Sequence, residues 1–185
     1  MKRILSLIGV VLVVGCGSPP PDGPYEEYYD NGQLKVRETY KDGELDGPFE
    51  GYYENGQLEQ KGTFKDGQLD GLLESYHENG QLSSKMIFKD GELDSRLIEV
   101  YREDGQLIGK RGVDGLLESY FDNGQLEMRN TKKEGGLDGP YEWYYSNGQL
   151  REKGTYKDGQ KCGEWFEEGE TVTYDPCPPD LEGGN

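Results

Sequence analysis

Candidate chemistry in this 185-residue chain rests on one histidine, three cysteines, 14 tyrosines and 37 carboxylates. His77 is the single histidine, so no histidine-cluster metal site can be built from it. It stands in a slot held elsewhere by Tyr29, Tyr53, Phe121 and Tyr145, which reads as a packing variant rather than a catalyst or ligand. Cys162 as a nucleophile would need a base that the sequence does not offer. A pair of carboxylates could do general acid–base work on a glycosidic bond. Most of the recurring acids, however, fall in fixed phase with bases or turns. Asp/Gly-dense stretches such as Lys41–Gly47 suggest calcium but lack both the EF-hand spacing and the nonapeptide period of calcium-binding β-rolls. Cage-type recognition of quaternary amines relies on Trp-rich walls, and the chain has only Trp143 and Trp165. The expectation is a protein with no catalytic residues, no metal and no cofactor.

The element that positions everything else is the stretch Pro48–Gly71, PFEGYYENGQLEQKGTFKDGQLDG. Asn55-Gly56 and Asp66-Gly67 each lie between alternating, aromatic-rich runs, the pattern of two-residue type I′ hairpin turns. First-turn glycines recur at Gly32, Gly56, Gly80, Gly105, Gly124 and Gly148, spaced 24, 24, 25, 19 and 24 residues apart. Second-turn glycines follow at Gly43, Gly67, Gly91, Gly115, Gly135 and Gly159. A fixed period of this size marks a repeat array in which no unit buries its surface alone. The prediction is all-β: an elongated, single-layer antiparallel meander of hairpins with about 14 strands. The fourth unit is shortened, and Asp94-Ser95-Arg96 replaces the usual Leu-Asp-Gly just before it. A shortened strand or a kink is expected near residues 109–117.

Two-residue turns make the register arithmetic. Glu26, Glu50, Glu74, Glu99, Glu118 and Glu142 then face Arg37, Lys61, Lys85, Lys110, Arg129 and Lys153 across the six hairpins. Such pairs contribute roughly 0.2–1 kcal/mol each and oppose a slip of register. Tyr28, Tyr52, Tyr76, Tyr101, Tyr120 and Tyr144 share that face, with Trp165 in the last partial copy. The opposite face is more apolar. There Tyr29–Leu34, Tyr53–Leu58, Phe121–Leu126 and Tyr145–Leu150 are expected to pair across the first turn, and Tyr40–Leu45, Phe64–Leu69 and Phe88–Leu93 across the second. Tyrosine on a charged face offers apolar area with a polar tip at low entropic cost. The six-Tyr ladder is therefore the expected partner-binding surface.

Net charge of −17 argues against nucleic acid and against adsorption to an anionic membrane. Low apolar content with such a charge would ordinarily signal disorder, but tyrosines at fixed phase override that reading. At the start, Lys2 and Arg3 precede an apolar run from Ile4 to Val14, too short for a transmembrane span. That run ends in Val13-Val14-Gly15-Cys16, which resembles a bacterial lipobox. The resemblance implies cleavage after Gly15, a lipid on Cys16 and, with Gly17 following, sorting to the outer membrane. Residues 1–15 are then a lipoprotein signal peptide, 16–23 a lipidated cysteine and Pro-rich tether, 24–175 the array and 176–185 a tail. Cys162 and Cys177 remain, and in an exported chain they are expected to pair and cap the last strands.

The units YYDNGQL…YKDGELDG, YYENGQL…FKDGQLDG and YYSNGQL…YKDG resemble the MORN-repeat variant of bacterial proteins labelled YwqK-like antitoxin components. The resemblance covers nearly all of residues 24–169. It implies an elongated sheet of hairpins that binds proteins or lipids, and the antitoxin label implies a partner toxin. A lipobox departs from what a cytoplasmic antitoxin would carry. The resulting expectation is a non-enzymatic, lipid-anchored envelope scaffold that binds another protein or an envelope component. One alternative is an immunity- or antitoxin-like protein that neutralises a toxin, favoured by an adjacent toxin gene. Another is an envelope polysaccharide hydrolase or accessory factor, favoured by turnover of glycans.

Overall fold

Asp42 and Gly43 both have positive φ, 51° and 84°, and the same holds for Asp66-Gly67, Asp90-Gly91 and Asp158-Gly159. These second turns are two-residue type I′ turns, as the Asp-Gly pairs predict. The first turns differ. Only the glycine has positive φ there, 85° at Gly32 and 82° at Gly56. Tyr29 N donates to Gln33 O at 2.8 Å and Gly32 N donates to Tyr29 O at 2.9 Å, enclosing Asp30–Gly32 in a three-residue loop. Asn31 does not take the left-handed conformation. Its Oδ1 instead accepts from Gln33 N at 2.8 Å, an Asx arrangement that holds the loop closed.

A computed structural model describes residues 20–179 apart from 113–114 and 134–135. Cys16, the leader and most of the tether lie outside the described residues. Among those described there are sixteen strands and no helix. The first half holds β1 (Gly23–Tyr28), β2 (Leu34–Lys41), β3 (Glu44–Leu45), β4 (Gly47–Tyr52), β5 (Leu58–Lys65), β6 (Gln68–Leu69), β7 (Gly71–Tyr76) and β8 (Leu82–Lys89). The second holds β9 (Glu92–Tyr101), β10 (Leu107–Arg111), β11 (Leu116–Tyr120), β12 (Leu126–Lys133), β13 (Gly136–Tyr144), β14 (Leu150–Lys157), β15 (Gln160–Glu167) and β16 (Glu170–Thr173). All belong to one antiparallel sheet in chain order from β1 to β16. The short strands β3 and β6 lie off the main path, which leaves the fourteen-strand meander of the repeat arithmetic. Each is the outer end of the strand after it, interrupted at Asp46 or Asp70.

The three-residue first turn corrects the predicted register near the loop. Tyr28, not Tyr29, faces Leu34, and the same shift gives Tyr52↔Leu58, Tyr120↔Leu126 and Tyr144↔Leu150. One extra residue, Lys35 in the first copy, then bulges out and restores Glu26↔Arg37. The extra loop residue and the bulge cancel, so all six predicted Glu–base pairs are register partners. Across the second turn Tyr40↔Leu45, Phe64↔Leu69 and Phe88↔Leu93 stand as predicted.

The fourth unit absorbs its missing length in β10 and β11, five residues each. Its second turn adopts the bonding of a first turn, with Gly112 N donating to Leu116 O at 2.8 Å. Pairing runs through β9, β10 and β11 without a gap. In β9 the strand passes continuously through residues 94–98, with its register shifted between Met86 and Ile87 of β8.

No second layer covers either face among the described residues, so little is fully buried. Leu73, Cys162 and Trp165 are the buried apolar side chains. Shielding comes instead from neighbours along the sheet. Tyr25 and Tyr40, Phe49 and Phe64, and Tyr141 and Tyr156 meet edge to face with ring centroids 6.0, 5.6 and 5.3 Å apart.

Candidate binding faces

Register makes each Glu of the predicted pairs face a base on both sides where a strand lies on both sides. Arg37 faces Glu26 and Glu50, Lys61 faces Glu50 and Glu74, and the alternation continues through Lys85, Glu99, Lys110, Glu118, Arg129 and Glu142 to Lys153. The contacts are ion pairs: Arg37 reaches Glu26 and Glu50, each at 2.9 Å, and Lys61 reaches Glu74 at 2.8 Å. Glu118 sits between Lys110 at 2.9 Å and Arg129 at 2.7 Å. The result is one electrically balanced row crossing the sheet.

Every Tyr of the predicted ladder is the last residue of its strand, in β1, β4, β7, β9, β11 and β13. The hydroxyls of Tyr52, Tyr76, Tyr101 and Tyr120 donate to the carboxylates of Glu50, Glu74, Glu99 and Glu118, two residues earlier on the same strand. Tyr28 does the same with Glu26 and is 54% exposed, while the other five are half-buried. The hydroxyls are thus committed within the ladder, and the rings are what a partner can meet. Burial and the adjacent carboxylate push the Tyr101 and Tyr120 phenols up to about 12. Burial also pushes Glu118 upward, but hydrogen bonds from Tyr120, Lys110 and Arg129 outweigh it and hold the carboxyl at about 2. Hydrogen bonding to Glu74 raises Lys61 above the ordinary lysine value.

Trp165 does not join this face. The last hairpin turns through Glu168-Gly169, and Glu168 has positive φ of 49°, so the turn is a two-residue one without the extra loop residue. Phe166 takes the register position opposite Lys153, and Trp165 goes to the other face. There it is 1% exposed, stacks on Tyr141 at 5.7 Å and meets Tyr156 edge-on at 4.9 Å. Its Nε1–H donates to the carbonyls of Thr155 and Cys162, each at 3.1 Å. Cys162 and Cys177 form a disulfide, and Gly163 N donates to Asp175 O at 2.8 Å, which returns the tail onto β15.

The first-turn row carries a set of bonds that sequence reasoning missed. Tyr29 and Tyr53 hydroxyls donate to the carbonyls of Tyr52 and Tyr76, at 2.7 and 2.8 Å. His77 Nε2 makes the equivalent contact with Tyr101 O at 3.0 Å, so the histidine stands in for a tyrosine hydroxyl. Asn31, Asn55, Asn79 and Asn123 donate from Nδ2 to the carbonyls of Glu54, Glu78, Glu103 and Ser146 in the next copy. The signal was present as an Asn one place before the turn glycine. Read only as turn chemistry, its free amide went unused. In the fourth copy Arg102 occupies the Tyr29 slot and pairs with Asp122 instead.

Among the described residues no group of three or more His, Cys, Asp or Glu side chains is placed to hold a metal ion. No helix among them is long and apolar enough to cross a membrane. The family model described as MORN repeat variant matches residues 21–42, 45–66, 69–90, 113–131 and 137–158. The matched segments follow the hairpin period and pass over residues 91–112, where the fourth unit departs from the pattern. None of the curated proteins compared with the chain matches it.

Proposed function

The chain belongs to the MORN repeat variant family, whose repeats are generally modules that bind proteins or membranes and not typically enzymes, and from that premise we propose a non-enzymatic binding scaffold lipid-anchored at a bacterial envelope. The units further resemble those of YwqK-like proteins, and the leader before Cys16 is what would make such an array an envelope protein. The observation that carries the reading is the balanced Glu–Lys/Arg row flanked by six tyrosines on an uncovered sheet face. Within a chain of net charge −17 this face is electrically quiet and aromatic. A protein partner can cover it without leaving a buried charge unpaired.

Cross-linking in intact envelopes, followed by mass spectrometry, tests the proposal. One protein should be captured repeatedly, with cross-links from the strands bearing Tyr76 and Tyr101. A palmitate analogue should label the wild type and not Cys16→Ser. Equal labelling of both would remove the anchor from the account. Turnover of glycan substrates by the purified protein would replace the scaffold with an enzyme.

A further inference from the structure

Beyond that face, we propose that the outer edge of β1 docks an extended segment of another protein that brings a lysine or arginine opposite Glu26. The two ends of the sheet are built differently. β16 has four residues, is followed by Pro176 and lies beside the Cys162–Cys177 staple. All four residues of β16 are exposed, but an edge this short that runs on into proline gives an added strand little to pair with. β1 has six residues, five of them exposed, and pairs on one side only among the described residues. Tyr25 and Tyr28 on it are 39% and 54% exposed.

The repeat shows what covers such an edge. Where β2 lies on β4, Arg37 faces Glu50, the Tyr29 hydroxyl donates to Tyr52 O and the Asn31 amide donates to Glu54 O. Where β5 lies on β7, Lys61, Tyr53 and Asn55 make the same contacts with Glu74, Tyr76 and Glu78. By the same period, β1 offers Glu26 and the carbonyls of Tyr28 and Asp30. Among the described residues Glu26 has a base, Arg37, on one side only, whereas Glu50 faces Arg37 on one side and Lys61 on the other. Strand addition satisfies the backbone edge, and the facing base completes the row.

A second copy of this chain does not fit that place. Its β1 would bring Glu26 against Glu26. Its β16 would bring Thr171, because the row passes from Lys153 to Phe166 and then to Thr171. Neither edge supplies a base. On the β2 side Glu26 and Glu27 are paired with Arg37 and Lys35, and Asp22 adds a further negative charge near this edge that favours a basic segment.

The test titrates the full chain with a synthetic peptide of residues 47–65, whose Lys61, Tyr53 and Asn55 carry the repeat's own edge contacts. Hydrogen exchange of the β1 amides and binding affinity are read together. Exchange in β1 should slow about tenfold, and the Lys61→Glu peptide should bind about tenfold more weakly. Glu26→Lys in the chain should reverse that preference. If this variant unfolds, the two peptides on the wild-type chain decide the matter. Equal binding of both peptides to the wild type, unchanged exchange in β1, or slowing confined to β16 would overturn the proposal. So would a concentration-dependent dimer that protects β1 without peptide. Tyr76 and Tyr101 are remote from β1, so failure here leaves the face reading to its own test.

Discussion

At the scale of single residues, position in the repeat decides what a side chain does. Glu118 has the residue type of a general acid, yet three hydrogen bonds hold it ionised with its carboxyl at about 2. A depressed carboxyl contributes stability that is fully present above its unfolded value, about 4.3, and lost as pH falls from there through about 2. Unfolding measured from pH 5 to pH 2 should therefore show a loss that Glu118→Gln flattens, and NMR titration should place the Glu118 midpoint near the bottom of that range. His77 gives a second case. His77→Tyr restores the donor found at Tyr29 and Tyr53 and should leave denaturant stability unchanged or slightly higher. His77→Ala gives up the contact to Tyr101 O and should cost about 1 kcal/mol.

At the scale of elements, the last hairpins are the tightest part of the sheet. A Cβ at Gly154 would overlap the Trp165 indole, so Gly154→Ala should cost roughly 2–3 kcal/mol and red-shift the tryptophan emission. Gly159→Ala tests something else. Nothing crowds its Cβ, but its φ of +79° strains any side chain, so the cost should be about 1–2 kcal/mol with the emission unmoved. Cys177→Ser should lower stability by about 3 kcal/mol on loop closure alone, with faster exchange in β15 and β16.

These elements also show how far the sequence could be read. Asp-Gly favours the two-residue turn, so the turns at Asp42, Asp66, Asp90 and Asp158 and the pair Tyr40↔Leu45 were legible. An Asn or Asp side chain can also close a three-residue loop, and Asn31 and Asp104 both do so, each Oδ1 accepting from the backbone N–H two residues on. The Glu–base row was still legible because loop and bulge shift the register in opposite senses. Counting back from Gly169 misplaces Trp165, because Gly169 follows Gly159 by 10 residues where Gly56 follows Gly43 by 13; counted forward from Gly159, Trp165 takes the slot that Phe49 takes after Gly43. The bonds from Asn31 and Tyr29 to the next copy were missed for another reason: the recurring Asn is visible in the sequence, but the carbonyl it reaches lies a full period away.

At the scale of the whole molecule, a single-layer sheet has one face closed by its own aromatic pairs and another carrying charge in balance. The first holds Tyr25–Tyr40, Phe49–Phe64 and the Trp165 cluster. On the second, the rings beside a neutral charge row are free to meet a partner. That assignment is the centre of the account, and the direct measurement is partner affinity beside thermal stability for two pairs of variants. Tyr76→Ala and Tyr101→Ala each give up a hydroxyl bond to Glu74 or Glu99 and should lower stability by only about 1 kcal/mol. They should weaken binding of the cross-linked partner about tenfold or more. Phe64→Ala and Leu69→Ala, which face each other across the second turn, should lower stability by about 2 kcal/mol and leave the affinity of the folded protein unchanged. Undiminished affinity in the Tyr variants, with binding lost in the Phe64 and Leu69 variants, would contradict the account and move the site to the other face.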